Sequence, residues 1–255
     1  MKHTFVILAY NVSDDLEECI KSVINQSVKS NIVIATSTPN DYIIDLASEY
    51  SLGVMVNKAK SNKGRDYNFA INSFETPLVT IAHQDDLYDR NYTKEIKKCY
   101  KKNKDATIIF TDNYEIHGDK KIKKSKKLFW IRYHLFPLMF RLFHNKKLFK
   151  LRSLKSDKYI CTSSITFVKK NIKEDIFPTN LKYDNDWQGL INLARKDSRF
   201  VYLNKKLVGY RVEEKKINKT KIKEDETILK SMYPTWYYEK IIKKRQDKKN
   251  NTDLV

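Results

Sequence analysis

The stretch Leu78-Val-Thr-Ile-Ala-His-Gln-Asp-Asp-Leu-Tyr-Asp89 begins as an apolar run and then breaks into adjacent carboxylates. The apolar part has the pattern of a strand buried in an α/β sheet. His83 to Asp86 would then lie beyond the carboxyl end of that strand, where open α/β sheets bind ligands. Two close carboxylates repel each other and favour a cation, and Mg²⁺ and Mn²⁺ take oxygen ligands. On this stretch alone, a surface turn whose aspartates cap a helix beginning near Asn91 is an equal alternative.

Length and composition limit the class of protein. A chain of 255 residues with 41% hydrophobic and 32% charged residues suits one large globular α/β domain or two small ones. The N-terminal apolar run Thr4–Ala9 is too short for a signal peptide, and no small-residue cleavage site follows it. Cys19, Cys99 and Cys161 lie far apart and form no metal-binding pair. We therefore expect reduced thiols in a cytoplasmic protein.

The formal net charge of +19 calls for either an anionic partner or a compositional explanation. Nucleic acid, an anionic membrane surface and phosphate-bearing substrates are the candidate partners. No nucleic-acid-binding motif accompanies the charge, and its excess lysine lies in the middle and at the C-terminus. The sequence favours an anionic membrane first, a biased composition without a partner second, and nucleic acid last.

Strands alternate with amphipathic helices along the first half of the chain. Strand patterns cover Thr4–Ala9, Ile32–Ala35, Gly53–Val56 and the run from Leu78, with helical patterns between them. This rhythm predicts βαβ units and a mainly parallel sheet. Right-handed crossovers would place the loops after strands one, two and four at one edge of the sheet. Tyr10-Asn11, Thr36-Ser37 and His83–Asp86 are therefore expected to share a crevice.

The second half continues the alternation but contains one unusual segment. Further elements are predicted at Tyr92–Lys102, Ala106–Phe110, Tyr159–Val168, a helix after Asp184, Phe200–Leu203 and Leu207–Arg211. Residues 120–155 mix lysine and arginine with large apolar side chains, too often charged for the roughly 20 apolar residues of a membrane span. The segment either lies in the interface of an anionic membrane, which we favour, or packs on the sheet with its lysines outward. Pro137 excludes one straight helix.

Five motifs occur in a familiar order. They are Ala9-Tyr-Asn11, Asn62-Lys-Gly64 with Asn68-Phe69, His83-Gln-Asp-Asp86, Asp186-Trp187 and Tyr210-Arg211. In this order the chain resembles the family 2 inverting glycosyltransferases over about residues 4–212, especially the bacterial surface-polysaccharide branch with an Asp-Gln-Asp-Asp motif. The resemblance implies a GT-A fold, a Rossmann-like, mainly parallel sheet flanked by helices. Residues 1–118 would bind the nucleotide sugar, residues 119–212 the acceptor, and residues 213–255 would form a lysine-rich tail.

The same resemblance implies a reaction. A sugar would pass from a UDP- or dTDP-sugar to a hydroxyl of a glycan or lipid-linked acceptor, with inversion, during cell-surface polysaccharide synthesis. The diphosphate leaving group needs a divalent metal, Mn²⁺ or Mg²⁺, and cationic side chains to neutralise its charge. The protein would work as a peripheral protein at the inner face of the cell membrane.

The resemblance also assigns roles to residues. Asp186 would be the general base, which takes the proton of the acceptor hydroxyl. Asp85 would bind the metal, with Asp86 as a weaker candidate, and Asp112 and Trp187 would face the acceptor. The donor-binding set would comprise Ala9, Tyr10, Asn11, Ser37, Lys63, Arg65, His83, Asp86 and Arg211, with the guanidinium of Arg211 on the diphosphate.

The sequence departs from the family pattern at three positions. His83 replaces an Asp, which removes a negative charge from the metal site. Thr36-Ser37 replaces an acidic pair that usually binds uracil N3–H, and since a hydroxyl can donate or accept, the base stays open. Glu213 stands where a His often follows the Tyr-Arg pair. These departures motivate an alternative, a catalytically inactive GT-A-like scaffold or binding module at the membrane. Asp186 could also simply cap its helix.

Overall fold

The computed structural model of the chain describes residues 2–156, 159–212 and 219–233, together with the single positions 235, 239 and 243. The strands are β1 His3–Leu8, β2 Asn31–Thr36, β3 Gly53–Val56, β4 Leu78–His83, β5 Leu87–Tyr88, β6 Ile108–His117, β7 Lys120–Ile122, β8 Ile165–Val168 and β9 Phe200–Arg211. The α-helices are α1 Leu16–Ile24, α2 Asp41–Glu49, α3 Lys63–Asn72, α4 Tyr92–Lys102, α5 Lys126–Leu135, α6 Lys147–Arg152, α7 Asn185–Arg195 and α8 Lys219–Met232.

All these strands belong to one curled sheet in the order β3-β2-β1-β4-β8-β6-β9-β5, with β7 paired to β6. β1 pairs in parallel with both β2 and β4, and β2 pairs in parallel with β3. Alternate side chains of β1 enter two separate cores, Val6 in one and Phe5 in the other. A sheet that is covered on both faces needs strands that are apolar throughout, which explains the continuous apolar runs in the sequence. The expected parallel first half is confirmed.

The second half of the sheet is mixed. β8 lies antiparallel between β4 and β6, and β6 runs parallel to β9. The strand expected over Tyr159–Val168 is only Ile165–Val168, because Thr162–Ser164 form a 3₁₀ turn. The two strands expected at the end are one strand, β9, whose middle residues Asn204 and Lys205 are exposed. These two residues are polar because they are exposed in the middle of a strand. From the sequence, such a polar pair looks the same as a turn between two strands.

The segment between residues 120 and 155 is folded. It contains α5, two 3₁₀ turns at Phe136–Met139 and Arg141–Phe143, and α6. Pro137 lies in the first of these turns, so the expected interruption of the helix is confirmed. Across the described part of the chain, no helix combines the length and the apolar composition that crossing a membrane requires.

Helix α8 lies within the segment expected to be a lysine-rich tail. The buried carboxylate of Asp225 accepts hydrogen bonds from the backbone N–H groups of Lys182, Tyr183 and Asp184, at 2.7, 2.7 and 2.8 Å. This contact fixes the chain immediately before α7, whose first turn contains Asp186. Glu213 and most of the aromatic cluster after Tyr233 lie outside the described residues.

Candidate active site

The loops after β1, β2 and β4 meet at the carboxyl edge of the sheet, as the topology led us to expect. The backbone N–H of Tyr10 donates to Gln84 Oε1 at 2.7 Å, which joins the first loop to the carboxylate turn. The N–H of Asn11 donates to Thr38 Oγ1 at 2.9 Å, which joins it to the loop after β2. Asn11 has φ 52, in the left-handed region that asparagine tolerates better than most residues. Ala9 is buried, and its N–H donates to the backbone of Ala35 at 3.0 Å.

A buried carboxylate that the sequence did not single out organises one end of this crevice. Asp66, in the first turn of α3, is 2% exposed. Its Oδ1 accepts from Asn57 Nδ2 at 2.7 Å, while its Oδ2 accepts from Tyr10 Oη at 3.2 Å and Ser37 Oγ at 3.1 Å. The missing acidic pair after β2 is thus partly replaced by an acid from a helix. The only hint in the sequence was the presence of an Asp two residues after Gly64. Helical periodicity alone does not show that such an Asp is buried or functional.

The carboxylate turn after β4 forms a cluster that could hold a metal ion. Ligand atoms of His83, Asp85 and Asp86 all lie within 4.8 Å of one another. Asp86 is fully buried, and its Oδ1 accepts from the backbone N–H of Arg211 at 3.0 Å while Ser163 Oγ donates to its Oδ2. Asp85 is more exposed than Asp86. This difference favours Asp85 as the carboxylate that meets an ion and Asp86 as the group that fixes the turn.

His83 fits such a site in one of its two tautomers. Its Nε2 lies 2.6 Å from Tyr67 Oη, and its Nδ1 lies 3.7 Å from Asp86 Oδ2. If Nε2–H donates to the tyrosine, Nδ1 keeps a lone pair on the side of the carboxylates. Two carboxylates and one imidazole form a hard, mostly oxygen donor set, which suits Mn²⁺ or Mg²⁺.

Arg211 occupies a different position from the one expected for a diphosphate ligand. Its Nε lies 3.0 Å from Asp15 Oδ1, and its Nη2 lies 2.6 Å from Glu18 Oε2, both near the start of α1. Its Nε also donates to the backbone oxygen of Asp85 at 3.1 Å. The guanidinium is therefore committed to α1 and to the carboxylate turn. This arrangement links the end of β9 to α1 and to the carboxylate turn.

Lys63 instead brings a cation into the crevice. Its Nζ lies 2.8 Å from Asp186 Oδ2 and 5.5 Å from the ring centroid of Tyr67. Burial lowers the pKa of Lys63, but the carboxylate of Asp186 outweighs it and the net pKa is raised. Asp186 Oδ1 accepts the N–H of Trp187 at 2.8 Å, and Thr162 Oγ1 lies 3.4 Å from Oδ2. The carboxylate is about a quarter exposed, so part of it faces solvent.

Tyr67 links the carboxylate turn to Asp186: its Oη lies 2.6 Å from His83 Nε2, and Lys63, which pairs with Asp186, lies 5.5 Å from its ring centroid. The pKa of Tyr67 is raised well above its ordinary value, first by burial and then by the charges of Asp186 and Asp85. Burial, Cys161 and the charges of Asp86 and Asp85 likewise raise the pKa of Tyr210, while the cation of Lys63 opposes them. The charges of Asp85 and Asp186, distant in sequence, thus both act on Tyr67.

Two residues expected at the acceptor site lie elsewhere. Trp187 is 3% exposed in the core, and its Nε1 donates to the backbone oxygen of Leu154 at 2.8 Å. It offers no free ring face to a sugar, because its large apolar surface is used in packing. Asp112 is 2% exposed and pairs with Arg132 Nε at 2.5 Å, so it ties α5 to the sheet. Burial raises the pKa of Asp112 against the lowering effect of Arg132.

The geometry of the α3 start depends on a glycine. A Cβ on Gly64 would lie 2.1 Å from the backbone oxygen of Pro178. Asn185 Nδ2 donates to that same oxygen at 2.9 Å, and to the backbone oxygen of Leu181 at 2.6 Å. Only a residue without a side chain lets α3 approach the segment before α7 so closely. Arg65 next to it is half-buried and donates to the backbone oxygen of Lys60 at 3.2 Å.

Comparison with known proteins identifies the family. A sequence profile described as Glycosyl transferase family 2 matches residues 4–177, more than half of the chain.

The chain belongs to glycosyl transferase family 2.

The fold agrees with this membership. The solved structure of residues 1–349 of TarS from S. aureus in complex with UDP-GlcNAc superposes with a TM-score of 0.63 at 15% identity, over 89% of this chain and 65% of that one. TarS 1–349 without that ligand gives a TM-score of 0.60 at 16% identity, over 83% of this chain and 60% of that one. The chain thus spans less than two thirds of the length of these two TarS chains.

A second type of solved structure shares the fold. Glucosyl-3-phosphoglycerate synthase from Mycobacterium tuberculosis, in complex with Mn²⁺, UDP and glucosyl-3-phosphoglycerate, superposes with a TM-score of 0.59 at 11% identity. The match covers 90% of this chain and 79% of that one. None of the curated protein sequences compared with the chain is significantly similar to it. The GT-A fold expected from the sequence is confirmed.

Proposed function

We propose that this glycosyltransferase moves a sugar from a nucleoside diphosphate donor, a UDP- or dTDP-sugar, to an acceptor hydroxyl with inversion at the anomeric carbon. The observation that carries the proposal is that Tyr67, in a family 2 protein, contacts both halves of the candidate site: its hydroxyl lies 2.6 Å from His83 of the carboxylate cluster, and its ring lies 5.5 Å from the Lys63 ammonium that pairs with Asp186. Inversion by a single displacement needs two groups on opposite sides of the reacting carbon. One takes the proton of the attacking hydroxyl, and the other stabilises the departing diphosphate.

Asp186 is the proposed general base. Its Oδ1 is held by the N–H of Trp187 at 2.8 Å, which fixes the carboxylate at the start of α7. Oδ2, which faces Lys63 and Thr162, is the oxygen that would take the acceptor proton. The ammonium of Lys63, 2.8 Å from this oxygen, is the cation proposed to contact the diphosphate. A donor that draws this ammonium towards its phosphates would leave Oδ2 available to the acceptor.

His83 and Asp85 are the residues that would hold a divalent ion, with Asp86 fixing their turn through Arg211 and Ser163. Such an ion, when bound, neutralises the negative charge that develops on a diphosphate leaving group. A neighbour of the same fold in complex with UDP and Mn²⁺ supports both the donor class and the ion. Tyr10, Asn11 and Ser37 would contact the nucleoside, because their loops form the other end of the crevice.

We further propose that the acceptor is a glycan or a lipid-linked glycan in cell-surface polysaccharide synthesis, and that the enzyme works as a peripheral protein at the inner face of the membrane. The cationic, aromatic segment between residues 120 and 155 supports this setting. A GT-A-like scaffold without transfer activity is the alternative, favoured by the ion pairs of the Arg211 guanidinium with Asp15 and Glu18, which already neutralise the cation expected to bind the diphosphate.

Donor turnover separates the two functions. The purified chain is incubated with UDP- or dTDP-sugars, Mn²⁺ and either water or a membrane extract as acceptor, and released nucleoside diphosphate is measured. Turnover that disappears in Asp186→Asn supports the transferase. A chain that binds none of these donors and releases no diphosphate would support the scaffold.

A further inference from the structure

The segment from Lys120 to Ser156 has an extreme charge. It contains thirteen lysines and arginines and no aspartate or glutamate. The formal net charge of the whole chain is +19, so this one segment accounts for most of it. A charge concentrated in this way attracts an anionic surface, whereas lysines scattered by genome composition would not collect in one place.

The same segment also exposes several large apolar side chains. Eight large side chains are exposed here, namely Phe129, Trp130, Tyr133, Phe136, Met139, Phe140, Leu142 and Leu148. Leu142 and Leu148 are 70% and 73% exposed, although leucine is usually buried in a folded protein. The other large exposed apolar residues of the described chain are scattered among separate elements, at Val12, Ile44, Val56, Tyr210 and Met232. A concentrated apolar surface of this kind marks an interaction site.

The exposed face is presented by a rigid support. Leu128, Ile131 and Leu135 of α5 are buried against the core. Arg132 pairs with Asp112 at 2.5 Å, and Lys127 pairs with Glu115, so two ion pairs fix α5 to β6. The segment is therefore folded against the sheet, and its exposed aromatic rings do not result from a detached chain.

This surface lies next to the strand that borders the active site. Glu115, which holds the first turn of α5, is the register partner of Tyr210 on β9. The next pair in register joins Ile116 to Arg211. Arg211, the next residue after Tyr210, is hydrogen-bonded to Asp86 Oδ1 at 3.0 Å and to the backbone oxygen of Asp85 at 3.1 Å. A membrane against α5 would consequently be close to the acceptor side of the site.

A cationic depression adjoins the apolar face. It has a volume of about 440 Å³ and is lined by Arg141, Leu142, Asn145, Lys146 and Arg199. Arg141 and Arg199 share one carboxylate, that of Asp105, at 2.9 and 3.3 Å. The three cations of the depression therefore have one carboxylate, that of Asp105, near them. The planar guanidinium groups of the two arginines can bind a phosphate through paired hydrogen bonds.

We propose that residues 120–156 form a docking surface for an anionic phospholipid membrane, with a lipid phosphate seated in the depression of Arg141, Lys146 and Arg199. Apolar side chains such as Phe140 and Leu142 enter the boundary between headgroups and acyl chains. A second copy of the chain is disfavoured as occupant, because two such surfaces would bring like charges together. Nucleic acid would satisfy the cations but leave Leu142 and Leu148 uncovered. The proposal deepens the membrane setting proposed above and is independent of catalysis, because vesicle binding needs neither donor nor acceptor.

Vesicle flotation of the full chain tests the proposal. Vesicles of phosphatidylcholine alone are compared with vesicles containing one quarter phosphatidylglycerol. We expect flotation only with the anionic vesicles, and a loss of roughly tenfold or more in partitioning for Arg141→Gln/Lys146→Gln and for Phe140→Ser/Leu142→Ser. The matched controls, Lys170→Gln/Lys173→Gln and Ile44→Ser/Val56→Ser, alter exposed residues elsewhere and should float like the wild type.

Three results would overturn the inference. The first is equal flotation with neutral and anionic vesicles, or flotation that neither test variant reduces. The second is a wild-type dimer in light scattering that Phe140→Ser/Leu142→Ser converts to a monomer, which would show that another copy covers the surface. The third is a melting temperature that rises with inorganic phosphate, lost in Arg141→Gln/Lys146→Gln, without vesicle binding. Because the substituted side chains are exposed, thermal melting of each variant should match the wild type.

Discussion

Lys63 Nζ lies 2.8 Å from Asp186 Oδ2, joining the first residue of α3 to the first turn of α7. The contact spans 123 positions of sequence and links the proposed nucleotide-binding half to the proposed acceptor half. It places the cation most suited to a diphosphate directly on the proposed general base. We therefore expect donor binding to change whether Asp186 can accept a proton, because the same ammonium group contacts both.

Replacing the proposed base tests its chemical role. In Asp186→Asn the amide oxygen can still accept from the N–H of Trp187, but it cannot take a proton from the acceptor. We expect kcat to fall by about 10²–10⁴-fold while the KM for the donor changes little. Steady-state kinetics measure both, with Asp197→Asn, exposed just after α7, as control. A variant that retains wild-type kcat would contradict the assignment.

Removing the shared cation should weaken diphosphate binding. Lys63→Met loses a charge-assisted contact to the phosphates, which is worth about 1.5–3 kcal/mol, or a factor of roughly ten to a hundred. Calorimetric titration with UDP and with uridine measures this loss. Uridine binding should change little, because it lacks the phosphates. Lys60→Met, on the same loop and exposed, is the matched control. Equal loss of UDP and uridine binding would argue for a purely structural role.

The glycine at the start of α3 can be tested with a matched pair. A Cβ on Gly64 would overlap the backbone oxygen of Pro178, at 2.1 Å, whereas a Cβ on Gly53 meets Val33 Cγ2 at an ordinary 3.6 Å. We expect Gly64→Ala to lower the free energy of unfolding by about 3 kcal/mol and Gly53→Ala to have little effect. Urea unfolding measures both. Similar stability of the two variants would show that the close approach is not needed.

A buried histidine predicts the pH dependence of stability. His3 is 1% exposed, bonded to Ser30 Oγ at 2.8 Å and Thr80 Oγ1 at 2.9 Å. Burial first, and the charge of Lys97 second, lower the pKa of His3 from 6.5 to about 3. Between these values only the unfolded chain takes up the proton, so stability falls as the pH falls from 6.5 towards 3.

At its limit, this loss of stability is about 5 kcal/mol. We expect His3→Asn to be less stable than the wild type at pH 7, because one hydrogen bond is lost, but to lose less further stability on acidification. Urea unfolding of both proteins at pH 7, 5.5 and 4.5 gives the difference between their free energies of unfolding at each pH. The contributions of the carboxylates are the same in both proteins and cancel in this difference. Parallel losses in the two proteins would show that His3 does not titrate in this way.

The local patterns of the sequence predicted much of the fold. β3 and α4 have the predicted boundaries, because apolar alternation and helical spacing act within a few residues. The position of β8 between β4 and β6 was not predictable, since strand order depends on contacts between distant segments. The same limit explains the error at Trp187. Its position after Asp186 favoured a sugar platform, whereas its burial depends on α6 and Leu154, which no local pattern reveals.

The candidate site shows a similar division. The order of strands and turns was enough to predict that Tyr10, Ser37 and His83 would meet at one sheet edge. The contact of Lys63 with Asp186 and the role of Asp66 were not predictable, because side-chain direction on α3 depends on how that helix packs. The turn of Arg211 towards Asp15 and Glu18 likewise depends on the placement of α1.

Metal-dependent nucleotide binding is the most direct test of the enzyme proposed here. The melting temperature of the full chain is measured with UDP, dTDP, CDP, GDP or ADP, each with Mn²⁺ and with a chelator. We expect UDP or dTDP to raise it only with Mn²⁺, since ligands of the folded state stabilise it, and Asp85→Ala to abolish the rise. No stabilisation by any nucleoside diphosphate in the presence of Mn²⁺, or a rise that chelation and Asp85→Ala leave unchanged, would contradict the account.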